Sequence, residues 1–208
     1  MVSIDNLSSE YNIFLVRSGA TGVRKRNNEI ISALTEMGYH IIIVTTNVPS
    51  EIQMKNYEKT GIDTSNLFFI DMVTPQAIGK RMEDTEQVNF IDRPGDLTKA
   101  GILITNIMKG IQDEKIAFVF DTINTMLIYS NKVSVSRFVH FIINKIRIQG
   151  IQGYFIMVDK SLDTDLVSEF EMLTDISIPR DEQITLIKSE ITKKIELPED
   201  SYEESDLK

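Results

Sequence analysis

A chain of 208 residues, 42% of them hydrophobic, can bury one core of ordinary size. The absence of cysteine excludes disulfides, thiolate-held metals and thiol nucleophiles, and two histidines, His40 and His140, leave little for a histidine metal site. A formal charge of −9 makes nucleic acid an unfavourable partner, no apolar run reaches membrane-spanning length, and the first ten residues lack the pattern of a secretory signal, so a cytoplasmic protein is expected.

Composition divides the chain into a polar leader over 1–10, a folded domain over 11–190 and an acidic tail over 191–208 that is expected to be disordered. Within the domain, residues 11–16 read as a first strand and 17–24 as the loop after it. A helix over about 25–37 follows, with Ile30, Ile31, Leu34 and Met37 at helical spacing and Gly38 placed to end it in a left-handed turn. Residues 41–46 form a second buried strand; Pro49 blocks its continuation, and Ser50 is placed to cap a helix over 51–60 that carries Ile52, Met54 and Tyr57 and stops at Gly61. A third strand over 67–71 ends in Asp71. Residues 72–94, with Pro75, Gly79 and Pro94, read as a long irregular connection, either functional or poorly ordered.

Asp96 or Thr98 can cap the next helix, whose Ala100, Ile104, Ile107, Met108 and Ile111 make a core-facing stripe. The strand Lys115-Ile-Ala-Phe-Val-Phe-Asp121 is apolar throughout and closes on a carboxylate. Residues 123–129 are a short apolar helix, and 134–149 an amphipathic one with Val135, Phe138, Val139, Ile142, Ile143 and Ile146 on its inner face. A strand over 154–158, a helix over 163–173, and a terminal hairpin or edge pair from 175–178 and 183–188 complete the order. Strands alternating with helices predict an α/β fold, a mainly parallel central sheet covered on both faces. Such sheets bind ligands at the carboxyl ends of their strands.

Two features at that edge carry chemistry. Gly19-Ala-Thr-Gly-Val-Arg-Lys-Arg26 follows a strand and opens a helix, the context of a phosphate-binding loop, whose pattern is Gly, four residues, Gly, Lys, then Ser or Thr. Gly19, the inner Gly22 and Lys25 fit. Arg24 replaces the second glycine and tends to block the tight backbone cradle; Arg26 replaces the hydroxyl that would ligate magnesium. Arg24, Lys25 and Arg26 at a helix start either draw an anion to the exposed N–H groups or form a solvated charge run that opposes the helix dipole at about 0.3–1 kcal/mol each. Asp121 is either the edge of a site, able to hold magnesium through water, or a helix cap. Asp71 reads as a cap, His140 as a packed or partly exposed histidine, and His40 as a strand residue without function.

Taken with the blocks 39–49, 61–71, 118–129 and 138–147, the chain over roughly 10–190 resembles the RecA-like P-loop ATPase superfamily, on the archaeal side that includes KaiC-like domains. The resemblance implies a RecA-like fold, Asp121 at the position of the Walker B aspartate and Lys25 at that of the phosphate-loop lysine. It also implies a catalytic glutamate just after the second strand, where this chain has Thr45, Thr46 and Asn47, with Glu51 a turn or more too far along. The implied protein is a degenerate relative with no catalytic residue assigned, acting as a regulatory or interaction domain through a protein partner or through self-association as a dimer or ring. The alternative is a slow or atypical ATPase in which ATP with magnesium is held by Gly19, Gly22, Arg24, Lys25, Arg26 and Asp121.

Overall fold

The computed structural model describes residues 13–111, 115–158 and 164–179. Its elements alternate as the sequence pattern requires: β1 (Ile13–Ser18), α1 (Val23–Glu36), β2 (His40–Thr45), α2 (Ser50–Lys59), β3 (Leu67–Asp71), α3 (Thr74–Ile78), β4 (Val88–Phe90), α4 (Leu97–Gly110), β5 (Ile116–Phe120), α5 (Ile123–Tyr129), α6 (Lys132–Ile148), β6 (Gln152–Val158), α7 (Thr164–Leu173) and β7 (Ile176–Ile178). The seven strands form one sheet in the order β4-β3-β2-β5-β6-β1-β7, and every pairing is parallel.

Runs such as Ile41-Ile-Ile-Val44 have no polar side because both faces of the sheet are covered. Ile41 and Ile43 face α1 and α2, joining Phe14, Ile30, Leu34 and Tyr57. Ile42 and Val44 face the other way, joining Phe118, Phe120, Ile143 and Phe155 under α4–α7. Burying each of these side chains contributes about 1.5–3 kcal/mol. Three phenylalanines bind β5 to β6, with the Phe118 and Phe155 ring centres 5.6 Å apart and those of Phe120 and Phe155 6.1 Å apart. Gly153 in β6 lets α6 settle on this cluster, since a Cβ there would lie 2.3 Å from Cδ1 of Ile146.

Three expectations are corrected. Residues 72–94 contain α3 and β4. Both Val73 and Thr74 donate their N–H groups to Asp71, which starts α3, and the apolar Val88 and Phe90 let β4 pair on the edge of β3. Ser50 does not cap α2; it is the first helical residue, and its N–H donates to Asp71 Oδ2 at 2.8 Å. Residues 176–178 form an edge strand paired in parallel with β1, whose Phe14 and Val16 offer them an apolar neighbour, as the edge alternative expects. Helix α1 begins at Val23, ahead of the expected Lys25, and ends where Gly38 takes φ +74. The expected strand over 183–188, the leader over 1–10 and the tail over 191–208 lie outside the described residues. No helix among the described residues is long and apolar enough to cross a membrane.

Candidate functional site

The strand order sets β6 between β1 and β5, so the loop after β1 and the end of β5 meet at one edge with a single strand between them. The connection from β1 to α1 is only residues 19–22, closed by a hydrogen bond of 2.8 Å from the Gly22 N–H to the Gly19 carbonyl. Gly22 has φ −92 and ψ −14, a right-handed conformation open to any residue. Because the helix starts at Val23, all three cations fall in its first turn. Lys25 points outward, with 77% of its side chain exposed and Nζ 3.8 Å from Glu29 Oε1. Arg26 places Nη1 3.2 Å from the other oxygen of Glu29. Arg24 is exposed and lines a cavity of about 410 Å³ between α1 and α2.

Asp121 lies on the floor of that cavity, 4% exposed. Three side chains from two neighbouring layers close on its carboxylate. Asn27 of α1 donates to Oδ1 at 3.4 Å; Gln53 of α2 donates to Oδ2 at 3.1 Å; and Thr45 at the end of β2 puts its hydroxyl 3.3 Å from Oδ2 while also donating to the Val48 carbonyl. The Tyr57 hydroxyl holds the two amides in place, donating to Asn27 Oδ1 at 2.5 Å and lying 3.1 Å from Gln53 Oε1. Every donor to Asp121 is uncharged. Burial pushes its carboxyl up to about 6, against the opposing pull of the bonds from Thr45, Gln53 and Asn27. Burial, reinforced by the charge of Asp121, also raises the Tyr57 phenol.

Asp121 does not cap α5. Thr122 occupies the cap position, with its Oγ1 2.7 Å from that of Thr125, and the Asp121 carboxylate turns instead toward α1 and α2. Asp71 is the capping carboxylate: Oδ1 accepts from the N–H groups of Val73 and Thr74, each at 2.8 Å, and Oδ2 accepts from the Ser50 N–H at 2.8 Å and the Thr74 hydroxyl at 2.6 Å. Glu51 is exposed and paired with Lys55 at 2.6 Å, outside the cavity lining. His140 is exposed on α6 beside Asn144.

The edge therefore brings together Arg24 and Asp121 and sets Lys25 and Arg26 apart from them. Among the described residues no group of three or more His, Asp and Glu is arranged to hold a metal ion. Sequence reasoning missed Asn27, Thr45, Gln53 and Tyr57 as a unit. Its signal was available: Asn27 falls one helical turn before the apolar Ile30 and Ile31, and Gln53 precedes Tyr57 by four residues, so both helices carry an uncharged polar residue on a buried face.

A family model described as a family of unknown function, DUF7504, matches residues 11–179. No curated protein matches the sequence. Among solved structures, the chain is similar to a KaiC-like protein from the hyperthermophilic archaeon Pyrococcus horikoshii OT3, at 14% identity and a TM-score of 0.53 over 78% of this chain and 68% of that one. It is similar also to an uncharacterized Pyrococcus horikoshii protein in complex with an unknown peptide, at 9% identity and a TM-score of 0.59 over 80% and 76% of the two chains. A third likeness is to the flagellar accessory protein FlaH of Methanocaldococcus jannaschii, at 11% identity and a TM-score of 0.52 over 78% and 68%. At these identities the likeness concerns the fold, which is the RecA-like α/β fold that the sequence blocks imply.

Proposed function

The chain belongs to the DUF7504 family, and from that premise we propose that it is a RecA-like domain without triphosphate hydrolysis, serving as a cytoplasmic regulatory or interaction protein. The observation that carries this reading is the closure of Asp121 by Asn27, Thr45 and Gln53. Both carboxylate oxygens are engaged by uncharged donors, and no second carboxylate lines the cavity to orient a water. Of the residues at the expected glutamate position, Thr45 is committed to Val48 and Asp121 and Thr46 to the Thr122 carbonyl, while Asn47 lines the cavity but brings no carboxylate to it.

The residues present do not fit magnesium-bound ATP held as a phosphate loop holds it. The turn 19–22 is closed on itself, Arg26 offers no hydroxyl ligand, and Lys25 lies outside the cavity. The test is phosphate release from Mg·ATP by the purified protein. No turnover above background is expected; turnover that disappears in Asp121→Ala would overturn the proposal.

The cavity itself favours a second reading, a nucleotide bound without turnover or with slow turnover. Its volume falls within the range of small-molecule sites, and Arg24 stands at its rim. In this reading Arg24 meets the phosphates at the rim above Asp121, and Lys25 joins them only by leaving Glu29. A thermal shift with millimolar ATP that is lost in Arg24→Ala would favour it, and the same shift with and without magnesium would separate nucleotide from metal. The archaeal origin of the KaiC-like structure supports an archaeal setting, and the peptide bound to the second Pyrococcus protein supports an interaction role. The partner is another protein or another copy of this chain, which sedimentation would distinguish.

A further inference from the structure

We propose that the outer face of α4 and α6, centred on Phe141, is a docking surface for an acidic peptide segment studded with apolar side chains. It adds a surface to the interaction role proposed above but does not depend on what the Asp121 cavity holds, for α4 and α6 cover the opposite face of the sheet from α1 and α2.

Phe141 is a large aromatic left 48% exposed, and three separate clefts of about 660, 430 and 440 Å³ meet at its ring. The seat beneath it is built. Gly101, in the middle of α4, lies where a Cβ would come within 3.2 Å of Phe141 Cε1, so the ring rests directly on the helix backbone. A mid-helix glycine is unfavourable for a helix, and here it supports a ring whose other side faces solvent. Tyr129, Ile102 and Ile148, all exposed, each line one of the three clefts. Single exposed apolar residues are ordinary, but a set gathered around connected concavities marks a binding surface.

The charge on this face names the occupant. Helices α4 and α6 carry Lys99, Lys109, Lys132, Arg137, Lys145 and Arg147 and no carboxylate, in a chain whose formal charge is −9. Lys99 is paired with Asp92 and Arg147 with Asp175. Arg137 lines two of the clefts with no carboxylate partner among the described residues, and Lys145 holds its ammonium 6.0 Å from the centre of the Phe141 ring. The one carboxylate in the cleft lining, Asp96, accepts the Lys99 N–H as the cap of α4. Clefts accept inserted side chains, which a flat bilayer surface does not supply. A second copy using the same face would set these cations against themselves. An amphipathic acidic segment, its apolar side chains in the clefts and its carboxylates over Arg137 and Lys145, satisfies both the shape and the charge.

The experiment titrates the full-length protein with a fluorescent helical peptide bearing leucine at i, i+3, i+4 and i+7 and glutamate elsewhere. A version with lysine in place of glutamate and vesicles containing phosphatidylserine run in parallel. Saturable binding of the glutamate peptide is expected, weakened at high salt and by about tenfold or more in Phe141→Asp and in the Arg137→Glu, Lys145→Glu double variant. Circular dichroism checks that the variants fold, and Ile148→Glu provides a second, more exposed probe of the same face. Equal binding by the wild-type protein and the variants would overturn the proposal, as would preference for the lysine peptide, binding to vesicles alone, no peptide binding, or a dimer dissolved by Phe141→Asp. ATP turnover would leave this surface untouched, and failure of peptide binding would leave the reading of Asp121 untouched.

Discussion

Strands β3 and β5 write the same message in sequence: an apolar run that ends in aspartate at the carboxyl edge of the sheet. Their carboxylates nevertheless meet different donors. Asp71 accepts three backbone N–H groups and a hydroxyl, all from the segments that begin α2 and α3. Asp121 accepts only side-chain donors, two amides and a hydroxyl, and borders a cavity. Backbone donors fix the chain around a carboxylate, whereas side-chain donors shape an environment that substitution can retune without moving the fold. The first carboxylate is architecture, and the second is the residue on which any reading of function turns.

The largest effect expected is at Asp71. Removing its carboxylate in Asp71→Ala leaves the buried Ser50 N–H and the half-buried N–H groups of Val73 and Thr74 without their acceptor, for a loss of about 3–5 kcal/mol read from urea midpoints. A loss no larger than that of Asp121→Ala would break the contrast between the two strand ends.

Asp121 should show itself through pH. Its carboxyl sits at about 6 in the folded protein against an ordinary value of 3.8. Between those values the folded state binds more protons than the unfolded state, so stability falls as pH rises through that window. The shift corresponds to about 3 kcal/mol, present below the window and lost above it. Asp121→Asn, neutral throughout, is expected to lack this slope. The difference in urea stability between the two proteins should therefore grow in favour of the variant as pH rises from about 4 to 6, and parallel curves would show that the carboxylate is not buried as described.

A smaller effect is expected at Tyr57, whose hydrogen bonds go to Asn27 and Gln53 rather than to Asp121. Tyr57→Phe removes the hydroxyl that orients both amides and should cost about 1–2 kcal/mol. A double-mutant cycle with Asn27→Ala should show coupling of about 0.5–3 kcal/mol, and additivity would mean that the four side chains do not act as a unit.

The sheet was legible because β2, β3, β5 and β6 each carry an unbroken apolar run and helix stripes such as 135–146 repeat at the right spacing. Strand β4 was hidden by its length of three residues and α3 by its length of five, although Asp71, whose carboxylate accepts from Val73 and Thr74 at the start of α3, read as a cap. At the site, Asp121 was legible from its place at a strand end. The network around it was not, because Asn27 and Gln53 are twenty-six residues apart in sequence and meet only when α1 and α2 pack side by side on one face. The cations 24–26 were visible as a run, but their separation into one cavity residue and two partners of Glu29 follows from where α1 begins.

Gly22 gives the smallest effect and the sharpest distinction between a phosphate cradle and an ordinary turn. A cradle needs glycine for conformations that a side chain forbids, but Gly22 sits at φ −92, where alanine is equally at home. The added Cβ would lie 3.0 Å from Ser18 Oγ and 3.4 Å from the Gly19 carbonyl oxygen. The first contact is relieved by rotating a serine hydroxyl that now donates to the Gly19 carbonyl at 3.0 Å, giving up one exchangeable hydrogen bond. Against that loss, alanine lowers the conformational entropy of the unfolded chain, by about 0.4–1 kcal/mol in favour of folding. Gly22→Ala should therefore change stability by less than about 1 kcal/mol in either direction, measured by thermal denaturation, and should leave any ATP-induced thermal shift in place. A variant that folds normally but loses that shift would return the turn 19–22 to the role of a phosphate cradle, since only a ligand pressed against the backbone would register a single methyl group there.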